Sequence, residues 1–184
     1  MNVREAVRGD AAKLVAFFRT LYSETSFMLF EPDEFVVSEE QQRRRIDEMS
    51  GSGSGVMLLA EEEDQVIGAI FGNRGMARRN RHCLYVVIGV LEAWNGRGVG
   101  RKLMQAQEDW ARAHGIHRLD LTVDAGNQRA IALYERCGYE REGVKRQSRF
   151  VAGKYADELL MSRLLGAAVP QAGDPVNPGR ATRP

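Results

Sequence analysis

The chain has 184 residues, 43% of them hydrophobic, which is about one domain's length with enough apolar material for a core. With 26 basic against 25 acidic residues the net charge is +1, which excludes a global field drawing the protein onto nucleic acid or a membrane surface. Cys83 and Cys137 lie far apart with no histidine pair at ligand spacing, which argues against a disulfide framework or a zinc site, so no metal is expected.

In chain order, "VREAV" (Val3 to Val7) alternates as a short strand. The charged N-terminal segment and the lack of any run approaching about 18 apolar residues predict a cytosolic protein without a membrane partner. Asp10 offers a side-chain cap for an amphipathic helix through "AAKLVAFFRTLYSE", with Leu14, Phe17, Phe18 and Leu21 on one face. The loop "TSFMLFEPDEFVV" leaves several large apolar residues outside any regular element, which reads as a lid or as a dimer contact, so a homodimer is among the partners allowed. Ser38 and Gln41 form a capping-box signature for a charged helix to about Met49, after which "SGSGSG" is a flexible connector. "VMLLAEEEDQVIGAIFG" reads as two strands about an acidic turn, and "RGMARRNRH" as a solvated basic loop or a contact for an acidic partner. "CLYVVIGVL" (Cys83 to Leu91) is apolar at almost every residue, as expected of a strand covered on both faces.

Next comes "GVLEAWNGRGVGRKLM", with Gly96, Gly98 and Gly100 at alternating positions before a helix from about Gly98 to His114. Val99, Leu103, Ala106 and Trp110 line one side of that helix, and Gly115 sits where a left-handed cap ends it. "HRLDLTV" is a strand, Asn127 caps a helix to about Cys137, and "YEREGV" and "DELLMSRLL" are two closing strands. Segment 166–184 holds four of the five prolines and reads as a disordered tail, leaving 1–165 as one domain. The element order predicts an α+β fold: a mixed sheet of six to seven strands with helices on both faces.

Each glycine costs roughly 0.5 to 1 kcal/mol relative to alanine, so three at one junction require a reason. A strand, glycine turn and helix N-terminus form a natural phosphate cradle. The N–H groups from Gly96 to Arg101 can converge on one anion, with Arg97, Arg101 or Lys102 at its rim. A Walker A loop would end Gly-Lys-Ser/Thr, where this one ends Gly100-Arg101-Lys102. A dinucleotide fingerprint needs its third glycine one residue later, and Asp120 lies inside a strand and not at its tip. A tight turn holding no ligand stays open.

"VLEAWNGRGVGRKLM" resembles the acyl-CoA pyrophosphate loop of the GNAT superfamily of N-acetyltransferases, Gln/Arg-x-x-Gly-x-Gly/Ala after a strand ending in valine, with Asn95 where the family has Gln or Arg. "LTVDAGNQRAIALYERCGYEREG" is similar to a second family block: an Asn, a Tyr seven residues on, then a Gly-aromatic pair. Together the resemblance spans about Asn2 to Leu165. It implies a sheet splayed between Leu84–Leu91 and Arg118–Val123. Acetyl-CoA would lie with its pantetheine arm beside Ile88, Gly89, Val90 and Leu91 and its diphosphate at Asn95, Gly96, Arg97, Gly98, Val99, Gly100 and Arg101. Asn127 would make a polar contact to the cosubstrate, and Tyr134 would act as general acid to the departing thiolate; the residues alone also fit a plain helix cap and a core aromatic packed on Ala130 and Ile131.

The reaction implied is direct attack by a neutral amine through a tetrahedral intermediate, with a main-chain N–H near Val90 holding the oxyanion. Ribosomal-protein acetyltransferases of the family carry a glutamate five residues before the cofactor Asn, where this chain has Thr122. Asp120, Glu31 and Glu34 are the candidate bases instead, each equally readable as a solvated carboxylate. The expected activity is an acetyl-CoA-dependent N-acetyltransferase acting on a small-molecule amine (an amino acid, a polyamine or an amine-bearing toxin). The alternatives are a protein N-terminal acetyltransferase and a non-catalytic acyl-CoA-binding module.

Overall fold

Seven strands form one sheet in the order β1-β2-β3-β4-β5-β7-β6, every neighbouring pair antiparallel except the parallel β4 and β5. In the computed structural model, which describes residues 1–51 and 53–166, the elements are β1 (Asn2–Glu5), α1 (Ala11–Glu24), α2 (Glu39–Gly51), β2 (Gly55–Glu62), β3 (Gln65–Arg74), β4 (Cys83–Val90), α3 (Val99–Ala113), β5 (Arg118–Asp124), α4 (Gln128–Arg136), β6 (Glu140–Val151) and β7 (Lys154–Leu164). This is the order read from the sequence, with 3-10 turns added at Arg8–Asp10 and Glu92–Trp94. The tail expected over 166–184 lies, beyond Gly166, outside the described residues, as does Ser52 of the serine-glycine connector.

Local chemistry sets most boundaries. Ser38 and Gln41 complete their capping box reciprocally: Gln41 N–H donates to Ser38 Oγ at 3.2 Å, and Ser38 N–H to Gln41 Oε1 at 2.8 Å. Asn127 Oδ1 accepts Ala130 N–H at 3.1 Å and starts α4. Asp10 departs from its expected role. The 3-10 turn before α1 has already brought Asp10 to helical dihedrals, so its carboxylate turns back to Val7 N–H at 2.8 Å and to both terminal nitrogens of Arg4 at 2.7 and 2.8 Å. Helix α2 also continues two residues past Met49, into the first glycine of the connector.

Two apolar cores flank the sheet. On one face α3 and α4 bury Leu103, Ile131 and Tyr134 against Leu84, Val86, Leu119 and Leu121. On the other, α1 and α2 bury Leu14, Phe18 and Ile46 against Leu59, Ala69 and Phe71. Fully burying a leucine or isoleucine of this kind contributes about 1.5–3 kcal/mol. The α1/α2 core draws its strand residues from β2 and β3 with Val87 and Leu91, so β5, β7 and β6 are bare on that side. Hence β4, expected under cover on both faces, leaves Tyr85 41% exposed. Strand β6, at the sheet edge, is exposed at nearly every position.

Strands β4 and β5 pair only from Cys83/Arg118 to Tyr85/Asp120, although both run further. Beyond that point they part, and a cleft of about 1060 Å³ opens between them and under the loop that joins α1 to α2.

Candidate active site

The main chain of β4 sets the inner wall of the cleft. Leu91 N–H donates to Ile67 O at 3.0 Å, so in the β3–β4 ladder the odd-numbered residues of β4 face β3. By that alternation the N–H and C=O groups of Ile88 and Val90 point the other way, toward the gap. Buried main-chain polar groups require partners, and here the partner strand has withdrawn. The parted edge is therefore shaped to pair with an extended, amide-bearing ligand.

At the cleft's mouth, Gly96 and Gly98 adopt φ of +75° and +81°, the left-handed region that glycine enters without strain, and a Cβ at either would meet nothing within 4 Å. Gly100 is required for a different reason: a Cβ there would stand 2.9 Å from Leu133 Cδ2, so its absence lets α3 close on α4. Lys102 N–H takes Gly98 O as the first acceptor of α3, leaving the preceding amides of the turn without helical acceptors. Arg101, Arg129 and Arg136 stand on the cleft wall as nearby cations. Free amides, a helix N-terminus, open space and positive charge together fit a diphosphate.

Of the residues singled out in the sequence, the fold brings Ile88, Gly89, Val90, Asn95, Gly96, Gly98, Val99, Gly100, Arg101, Asn127 and Tyr134 to this cleft. Five others lie off its wall. Leu91 turns into the α1 core, and Arg97 lies over the Trp94 ring at 5.0 Å. Asp120 is held by Arg118 at 2.6 Å, which also binds Glu142. Glu31 and Glu34 sit in the exposed loop, where Glu34 Oε2 accepts Glu31 N–H at 2.9 Å.

Tyr134 is 7% exposed, with its ring 6.0 Å from that of Tyr139. Burial, with lesser contributions from Tyr85 and Cys137, pushes its phenol well above the ordinary tyrosine value. The group keeps its proton at neutral pH and so has one to give. Burial likewise raises both half-buried thiols, Cys83 and Cys137, away from the thiolate form a nucleophile needs.

A polar network on the bare side of the sheet was not legible in the sequence. Tyr85 and Thr122 hydroxyls lie 2.8 Å apart, and Thr122 is among the groups that lower the pKa of Glu158. Glu158, in register with Asp124, accepts from Lys145 Nζ at 2.8 Å and Ser148 Oγ at 2.9 Å. Burial opposes the Glu158 charge, but the bonds from Lys145, Ser148 and Thr122 outweigh it and lower its pKa. Either hydroxyl of the Tyr85–Thr122 pair can donate to the other, and both residues line the cleft. Nearby, Arg149 pairs with Asp124 at 3.3 Å and donates to the carbonyls of Ser26, Phe27 and Met28, which straps the α1–α2 loop to β6. Phe27, Met28, Phe30 and Phe35 of that loop line the cleft, with Phe35 stacked on Tyr22 at 4.5 Å.

Comparison with known proteins supplies the chemical context. The family model of the acetyltransferase (GNAT) family matches residues 17–139. A GNAT-family acetyltransferase from Streptococcus pneumoniae, known from its crystal structure, aligns with a TM-score of 0.86 and 31% identity over 90% of this chain and 99% of that one. The L-methionine sulfoximine/L-methionine sulfone acetyltransferase of Pseudomonas aeruginosa is 24% identical over 165 residues, 87% of this chain and 92% of the relative. The N-alpha-acetyltransferase RimI of Mycobacterium tuberculosis is 35% identical over 112 residues, 59% of this chain and 63% of its own.

Proposed function

The chain belongs to the GNAT family of acetyltransferases, and on that premise we propose that it moves an acetyl group from acetyl-CoA to the primary amine of a small molecule. The observation that carries this reading is the parting of β4 and β5 after Tyr85/Asp120, beside the amide-lined turn at the start of α3. Acetyl-CoA, when bound, supplies an electrophilic thioester carbonyl and a thiolate leaving group.

The protein's own groups divide the remaining work. The amides from Gly96 to Arg101 hold the diphosphate, with Asn95, Val99 and Asn127 beside them and Arg97 adding charge from the rim. The gap-facing edge of Ile88 and Val90, flanked by Gly89 and Leu91, pairs with the pantetheine amides, and Val90 N–H stands ready for the oxyanion. The Tyr85 oxygen accepts a hydrogen bond from the incoming amine, and the chain through Thr122 to Glu158 carries the proton away from the cleft. Asp120, Glu31 and Glu34 serve this role less well, because none of them reaches the cleft wall. Tyr134, kept neutral by burial, donates to the leaving sulfur.

A small acceptor is favoured because Arg149 straps the α1–α2 loop across the outer half of the cleft, where aromatic side chains line it. RimI, a protein N-alpha-acetyltransferase by name, matches a smaller share of the chain, and Thr122 holds the position of the family's glutamate. We place the enzyme in the cytosol, a reading supported by its two free thiols. Among the described residues no helix is long and apolar enough to cross a membrane.

The test is thiol release from acetyl-CoA with a panel of small amines and of peptides with free N-termini. Turnover confined to the small amines is the expected result. Turnover of the peptides alone overturns the substrate class, and cosubstrate binding without turnover of any acceptor overturns catalysis.

A further inference from the structure

The acceptor half of the cleft holds one cation without a carboxylate. Arg149 is matched by Asp124 at 3.3 Å and Lys145 by Glu158 at 2.8 Å. On α2, Arg43 and Arg44 pair with Glu39 and Glu40. Arg45, between them and the sheet, is half-buried on the cleft wall, and no described carboxylate lies within ion-pair distance of it. Its guanidinium lies 5.2 Å from the centre of the Phe71 ring, a cation–π contact, and among the described residues no group takes a hydrogen bond from its N–H fork. A half-buried guanidinium with free donors is a binding site for a planar anion, and a carboxylate matches its fork with two parallel hydrogen bonds.

The register gives the distance to the chemistry. Phe71 stands opposite Val87 on β4, and both belong to the core on the α1/α2 face. Gly89 lies two residues further along β4, about 7 Å at the rise of an extended strand, and Val90 is next. A carboxylate on Arg45 would sit in the same cleft as the Gly89–Val90 edge, with its amine one tetrahedral carbon away. Tyr22 and Phe35 beside it form an apolar wall for the substituent on that carbon.

We propose that Arg45 binds the acceptor's carboxylate, so that the substrate is an α-amino acid with an apolar side chain. This rests on the acetyl-transfer reading above and adds to it a requirement for an anionic group next to the amine.

The experiment compares matched pairs that differ only in the carboxylate: leucine with 3-methylbutylamine, and phenylalanine with 2-phenylethylamine. Initial rates are measured for the full chain, Arg45→Gln and Arg45→Lys, and binding of N-acetyl-leucine and N-(3-methylbutyl)acetamide is measured by calorimetry. In the unaltered protein kcat/KM for the amino acid should exceed that for its amine by roughly 10- to 100-fold, the range for a charge-assisted pair. Arg45→Gln should bring the ratio within each pair close to one, mainly through KM, and Arg45→Lys should retain part of it. N-acetyl-leucine should bind the unaltered protein more tightly than the neutral amide, and lose that advantage in Arg45→Gln. A preference for the decarboxylated amines, or a ratio that persists in Arg45→Gln, overturns this proposal and leaves acetyl transfer standing. Acetyl-CoA binding with turnover of neither member of either pair overturns this proposal, and overturns acetyl transfer as well only where the wider panel of amines and peptides is also left unacetylated.

Discussion

Tyr85 and Thr122 hold their hydroxyl oxygens 2.8 Å apart on adjacent parallel strands, where the main-chain pairing of β4 with β5 ends. The side-chain bridge takes over where the backbone ladder stops, with Glu158 on the same side of the sheet. Tyr85→Phe removes the lone pairs offered to the amine, so kcat/KM for the acceptor should fall about 100-fold, the lower range for a lost acid–base group. Thr122→Val should cost a similar factor by breaking the relay one step later. Initial rates at varied amine concentration check both, and a Tyr85→Phe enzyme as fast as its parent removes the phenol from the proton path.

Tyr134 has its proton locked in by burial. Tyr134→Phe should lower kcat by about 100-fold while the Kd for acetyl-CoA changes little, because the ring keeps its packing against Tyr139. The raised pKa also sets a sign in the pH profile. The rate should rise as the amine loses its proton and show no loss from Tyr134 ionisation below about pH 10. A downturn at lower pH that vanishes in Tyr134→Phe would contradict the assignment.

Gly98 and Gly100 should fail in different ways. Gly98→Val forces a β-branched residue to φ of +81°, at a cost of about 1–3 kcal/mol, into space that is open in the protein. Calorimetry should find acetyl-CoA binding lost while the thermal transition stays cooperative. Gly100→Val instead drives side-chain atoms into Leu133 and should show first as a lower Tm. Equal acetyl-CoA affinity in Gly98→Val and the parent is incompatible with a diphosphate seated on this turn.

Acid stability should follow the depressed carboxylates. Arg4 holds Asp10 below the usual range, its hydrogen bonds outweighing burial, and Arg118 with Ser162 pushes Glu142 down to about 2. For groups lowered by folding, the stabilisation is present above their unfolded values near pH 4 and is lost as pH falls through the folded values. Urea midpoints should therefore be flat above about pH 5 and drop toward pH 2. Asp10→Asn should cost about 1–3 kcal/mol at neutral pH and flatten that drop, since Asp10 is nearly buried. A variant with the parent's full acid sensitivity assigns the loss to other groups.

How much of this was readable beforehand depended on whether a signal was local. Helices α3 and α4 were plain from their apolar spacing, their glycine stops and the Asn127 cap, and β2 and β3 from alternation about Glu63-Asp64. The β6–β7 hairpin was under-read because β6, as an edge strand, carries no buried face to alternate. Its turn, with positive φ at Ala152 and Gly153, was hidden in "VAGK". The glycine turn was legible as a cradle, but the separate need for Gly100 was not, since Leu133 belongs to another helix. Glu158, Arg149 and Arg45 could not be found at all. Their roles depend on β7 inserting between β5 and β6, and on which strand α2 crosses, and neither is encoded near those residues in the chain.

The scarcity of bonds between β4 and β5 also bears on how long the molecule lasts. Within the sheet, three residue pairs join the half built on β1 to β4 to the half built on β5 to β7. A guest wedged between them acts as an eighth ribbon, and mass action then adds about 2.7 kcal/mol of resistance to unfolding at a hundredfold excess over Kd. Survival against proteases should consequently climb and fall with the supply of that guest, making turnover of the polypeptide itself a gauge of the donor pool.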